Sequence, residues 1–219
     1  MTPGVITPGR WRAAALVALW TLVAATLALG AYSLWRAGVT DQFAWLATLR
    51  ALLAAVVFVW WTQLLARYTL AQPTPDGDGV LRSLRGLFPW LTSLRLALWA
   101  LSALVYLSGS LNANPVALTA IATIELGFIL AKNAVYGSLV RAAPHPEDPA
   151  ARARLLSWLN VAAPLSLALG VVNVVPVAGL AGAPDAVSLT VYGLHALLDV
   201  AATLLALKAV QTAPHPRSA

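Results

Sequence analysis

The sequence predicts an all-α integral membrane protein: a bundle of six transmembrane helices with both termini on the cytoplasmic side. Three observations predict it. Hydrophobic residues fill 60% of the 219 positions and charged residues only 10%, where a soluble domain averages about 25% charged. The apolar residues come in long blocks, and about 20 of them in a helix cross roughly 30 Å of hydrocarbon. Finally, the arginines crowd into alternate connections between those blocks.

Taken in order, the spans run from about Ala13 to Leu34, Phe43 to Leu65, Phe88 to Ser108, Pro115 to Tyr136, Leu155 to Val177 and Ala186 to Val210. Pro115 and Pro184 sit at or just before a first turn, where a missing N–H costs nothing. In the first span, Arg10 and Arg12 followed by Ala28-Leu29-Gly30 resemble a cleavable signal. An apolar region this long, with Trp20 inside it, reads instead as a retained span.

Orientation follows from the arginines. Arg10 and Arg12 precede span one; Arg67, Arg82 and Arg85 lie between spans two and three; Arg141, Arg152 and Arg154 lie between spans four and five; Arg217 follows span six. Among the alternate connections only the first holds an arginine, Arg36. Positive residues are retained in the cytoplasm, so the crowded connections and both ends are inside. The net charge of +6 comes from scattered single residues rather than a basic run, so it reports topology and not a nucleic-acid surface. Much Ala, Leu, Val and Arg with only two lysines points to a high-GC bacterium and its inner membrane. With no cysteine, disulfides, thiolate metal sites and thiol nucleophiles are excluded.

Aromatic residues mark the same boundaries. Trp11, Trp35, Trp45, Trp90, Trp158, Tyr32, Tyr68, Tyr106 and Tyr136 fall near span ends, where an amphipathic ring is half wet. Before span three, Leu81, Leu84 and Leu87 alternate at helical spacing with Arg82 and Arg85. Two readings of Val80–Phe88 stand: a helix lying flat on the inner interface before Pro89, or a plain loop.

A repeat is also visible. Pro73-Thr74-Pro75, Pro144-His145-Pro146 and Pro214-His215-Pro216 follow the even spans at nearly equal intervals. Leu49-Arg50-Ala51-Leu52-Leu53 resembles Leu194-His195-Ala196-Leu197-Leu198. Fixed-period similarity marks a repeated unit, here three helical hairpins at about 10–75, 76–146 and 147–216 within one transmembrane domain. The competing explanation is that a chain with 14 prolines places Pro-x-Pro wherever a helix must stop.

Function must use the few polar groups inside the spans. A charge in hydrocarbon costs about 2.5–3.5 kcal/mol, so such residues face the bundle and find partners. Arg50, Arg95, Glu125, Lys132, His195 and Asp199 qualify. Depth along the helices sorts them into two layers, Arg50–Glu125 on the outer side and Arg95–Asp199 on the inner, with Lys132 near the second. Lysine can snorkel to the interface, so Lys132 is expected to be less buried than Glu125. On span six, Ser188, Tyr192, His195, Asp199 and Thr203 recur at steps of three or four and share one side. His195 and Asp199, at i and i+4, can share a proton. Asn133, Asn160, Asn173 and Gln63 are expected to bond between helices. Ala162, Ser166 and Gly170 form a close-packing seam on span five, which Pro164 and Pro176 kink or end.

The segment Leu198-Asp199-Val200-Ala201-Ala202 resembles the last helix of microbial rhodopsins. Where that family holds retinal on a lysine four residues after the aspartate, this chain has Thr203, and it has six spans rather than seven. The resemblance therefore implies no retinal. With one intramembrane histidine, bis-histidine haem is excluded, and no zinc ligand set, nucleophile elbow or phosphate loop is present. No catalytic residue, metal or cofactor is predicted. The expected function is a small transporter or channel-like protein, moving protons, ions or a small solute along Glu125, His195, Asp199, Arg50, Arg95 and Tyr192. The alternative is a non-catalytic subunit or scaffold whose buried charges specify packing; an acid–base enzyme using Asp199 and His195 is weaker. The bilayer is the expected partner, with a second copy or another membrane protein as further candidates and nucleic acid excluded.

Overall fold

The computed structural model describes residues 8–109, 115–174 and 185–214, and these are helical apart from short turns. Six helices follow in order: α1 (Pro8–Ala37), α2 (Gln42–Tyr68), α3 (Gly79–Gly109), α4 (Pro115–Ala142), α5 (Pro149–Val174) and α6 (Ala186–Thr212). Five are long and apolar enough to cross a membrane: α1, α2, α4, α5 and α6. Each expected span lies within its helix, except for the last residues of span five and Pro184 before span six, which fall outside the described residues. So do Pro176, His215 and Arg217.

Local chemistry explains the ends. Gly38, at φ +87°, closes α1 with its N–H on Leu34 O at 2.9 Å, the left-handed residue that frees a helix from its last turn. Asp78 accepts from the N–H groups of Val80 and Leu81, Asp148 from Ala150 and Asp185 from Ser188. Each satisfies N–H groups that a helix start leaves orphaned.

The helices form a ring. α1 packs on α2 and α6, α5 packs on α4 and α6, and α2 touches α4 directly; α3 leans on α4 and, more thinly, on α2. Two ends can be distinguished: the arginine-rich end, where α2, α4 and α6 finish, and the opposite end. The core sits toward the first. Leu22, Leu64, Leu65, Leu81, Leu84, Leu139, Leu155, Leu159 and Val210 are its most deeply buried large apolar side chains. Leu22 sits at the middle of α1, and the others pack in the arginine-rich half of their helices.

Two expectations change here. Val80–Phe88 is not a loop: it is the start of α3, continuous through Pro89. Leu81 and Leu84 are at 0% and 1% exposure in the core, while Leu87 stays exposed. Tyr68 and Tyr136 are core residues rather than belt residues, Tyr136 being enclosed by Phe58, Trp61 and Phe88. Trp35, Trp45, Trp90 and Trp158 do stand exposed; Tyr106 lies outside the described side chains. The seam on α5 is present as expected: Ala162, Ser166 and Gly170 are buried, and a Cβ on Gly170 would lie 2.9 Å from Ala196 Cβ.

Candidate functional site

The polar face of α6 points inward along its length. Near the opposite end it meets α1. Tyr32 Oη lies 2.8 Å from Ser188 Oγ, Tyr192 stacks edge-on with Tyr32, and Arg36 pairs with Asp185 at 2.9 Å. The lone arginine of the first connection thus stitches α1 to α6. At Asp185 the Ser188 N–H and hydroxyl, with Arg36 nearby, hold the carboxyl below the usual range.

One turn deeper, His195 Nε2 lies 3.2 Å from Thr26 Oγ1. The single hydroxyl proton of Thr26 goes to Leu22 O at 2.8 Å. Thr26 Oγ1 therefore accepts, His195 carries its proton on Nε2, and Nδ1 is left as an acceptor. His195 is half-buried, and its bond runs to α1 rather than to Asp199.

Asp199 turns to α4 instead. Lys132 Nζ donates to Asp199 Oδ1 at 2.8 Å and to Thr203 Oγ1 at 2.7 Å, with the Phe128 ring 5.4 Å away. The Thr203 hydroxyl donates to Asp199 O at 2.8 Å. Lys132, Asp199 and Thr203 are each 6% exposed. This corrects the expected inner layer: Asp199 is neutralised by Lys132, not by Arg95, and Lys132 is more buried than the half-buried Glu125. Snorkelling has a benefit only while the ammonium lacks a partner; two good acceptors inside remove it. The backbones of α4 and α6 are not in contact among the described residues, so the lysine chain spans the middle of the ring.

The outer layer is not an ion pair. Among the described residues neither Arg50 nor Arg95 nor Glu125 forms a salt bridge. Arg50 is exposed, and Arg95 and Glu125 are half-buried. Arg95 nevertheless lies within electrostatic reach of Tyr136, Arg50, Asp199 and Glu125. The expected amide bonds between helices are also absent where they can be seen. Asn160 bonds Leu156 O on its own helix, Gln63 is exposed, and the buried Asn133 Nδ2 lacks a partner; the Asn173 side chain lies outside the described ones.

Beside the ion pair is a small, partly enclosed cavity of about 20 Å³, lined by Lys132, Thr203, Trp61 and Tyr136 among mostly apolar side chains. Trp61, Thr26 and the centrality of Lys132 were missed in the sequence. One signal was available: Lys132 and Thr203 stand as far apart along the chain as the first two Pro-x-Pro motifs.

Fold and site together define a helical protein of membrane type with a charge-paired centre. Compared with known families, curated proteins and solved structures, the chain matches none.

Proposed function

We propose that the chain is a six-span protein of a bacterial inner membrane with both termini cytoplasmic, built from three hairpins, and that it serves as a non-catalytic membrane subunit or scaffold. The observation that carries this reading is the charge-paired centre. Lys132 joins Asp199 and Thr203 across the middle of the ring, and the adjoining cavity of about 20 Å³ is too small for a solute. A buried pair of this kind fixes which helices meet at a stability cost or near balance, which suits a specifying role.

For α3 as a sixth span, the support is length. Its 31 residues extend about 46 Å at 1.5 Å each, and Arg82 and Arg85 lie in its first turns, before the apolar stretch. For the repeat, the support is that Asp78 and Asp148, separated by an interval within one residue of that between the Pro-x-Pro motifs before them, cap α3 and α5 alike. Each also sends its own N–H back to the preceding turn, to Pro75 O and His145 O.

The transport reading keeps one specific support: Arg95 and Glu125 are half-buried with no salt bridge among the described residues, and the half-buried His195 precedes Asp199 by one turn. Flux assays in proteoliposomes decide. Wild type is compared with Glu125→Gln and with the double variant Lys132→Met/Asp199→Leu, which exchanges the pair for apolar bulk. The scaffold reading expects no proton or ion flux in wild type and a folded double variant. Flux in wild type, lost in the folded double variant, would overturn it in favour of transport.

A further inference from the structure

We propose that the central cavity is a built site for one water molecule, held jointly by Lys132 and Trp61. The count of donors points there. An ammonium has three N–H bonds; two of those on Lys132 go to Asp199 and Thr203, and the third meets no acceptor among the described residues. Trp61 is 3% exposed, lines the same cavity, and its Nε1–H is buried without a partner. An orphaned buried donor carries the full cost of its lost hydration, so two around one void call for an acceptor between them.

Size and charge select which acceptor. At about 20 Å³ the void exceeds the roughly 10–15 Å³ that one water needs and leaves no room for a polyatomic ion. A halide would fit more tightly, but Lys132 is already neutralised by Asp199. The halide would then bring an uncompensated charge into a low-dielectric centre, whereas water brings none. Its oxygen accepts from both donors, and a proton can return to the unused lone pair of Thr203 Oγ1. Trp61, Lys132 and Thr203 come one each from α2, α4 and α6, evenly spaced along the chain at the interval of the repeat. The water thus joins α2 to the link between α4 and α6.

The test is a crystal structure of the wild-type protein at a resolution that resolves ordered waters, with parallel xenon-pressurised and bromide-soaked crystals. The expected result is a density peak within hydrogen-bonding distance of both Trp61 Nε1 and Lys132 Nζ, with neither xenon nor bromide in the cavity. In Trp61→Phe, which removes one donor, the peak moves or vanishes. Xenon in the wild-type cavity would mean a dry void, and bromide an anion site. Either outcome, an empty cavity, or a peak unmoved in Trp61→Phe overturns the proposal.

Discussion

The arginine-rich half and the opposite half of this molecule are built on different principles. In the first, leucines and valines from all six helices interlock with the Lys132–Asp199 pair among them. In the second, contact is concentrated in seams between neighbours. At the α1–α2 seam a Cβ on Gly30 would meet Ala51 Cβ at 2.9 Å, and Thr48 Oγ1 donates to Gly30 O at 2.9 Å; the α5–α6 seam has its counterpart at Gly170. The start of α4 has no such seam: Val116, Thr119, Ala120 and Thr123 line a wide open groove. One end is held by close packing around a paired charge, the other by small-residue seams between neighbouring helices.

The sharpest way to break that comparison is to unpair the centre. Lys132→Met leaves Asp199 as a lone buried charge and should cost about 3–5 kcal/mol, read as thermal unfolding in detergent. Adding Asp199→Leu should recover most of the loss. A single variant no worse than the double would mean that Asp199 finds another cation, for which Arg95 is placed. Next in size, Leu139→Ala in the core should cost about 2–5 kcal/mol. Leu104→Ala, whose side chain is 65% exposed, should stay within about 0.5 kcal/mol. Equal losses would refute the contrast between the halves.

Glycine substitutions refine it. Gly30→Ala should cost about 1–3 kcal/mol by forcing α1 from α2. Gly127→Ala, with only Leu165 at 3.5 Å, should be neutral or gain up to about 1 kcal/mol of helix propensity.

Smallest is the cap at the arginine-rich end. Asp78→Ala should cost about 1 kcal/mol. The hydrogen bond from Arg67, with those from Leu81 and Val80, holds the Asp78 carboxyl below its usual range. A depressed folded value stabilises above the unfolded pKa of about 3.9 and is lost as pH falls through the folded one. The melting difference between wild type and Asp78→Asn should therefore be constant near neutrality and shrink in acid below about pH 4.

Much of this was legible along the chain, and the limit is instructive. The inward face of α6 could be read because helical period alone puts Ser188, Asp199 and Thr203 on one side, and all three are buried. The seam on α5 was readable for the same reason. Tyr68 and Tyr136 were misplaced because an aromatic ring near a span end serves an interface or a core equally well, and only its neighbours decide. Leu81 and Leu84 were ambiguous in the same way, since an amphipathic turn packs as readily on protein as on lipid.

By itself the sequence determined the six helical segments and the apolar medium they suit, because hydropathy and helix periodicity are properties of contiguous residues; α1, α3 and α5 begin, and α4 ends, beyond the apolar stretches. Which cation meets Asp199 was decided only by the tertiary structure. Depth along a helix is fixed by residue number, but direction around the ring depends on which helices are neighbours. That order set Lys132 across from α6, within reach of a carboxylate and a hydroxyl that the chain places far away.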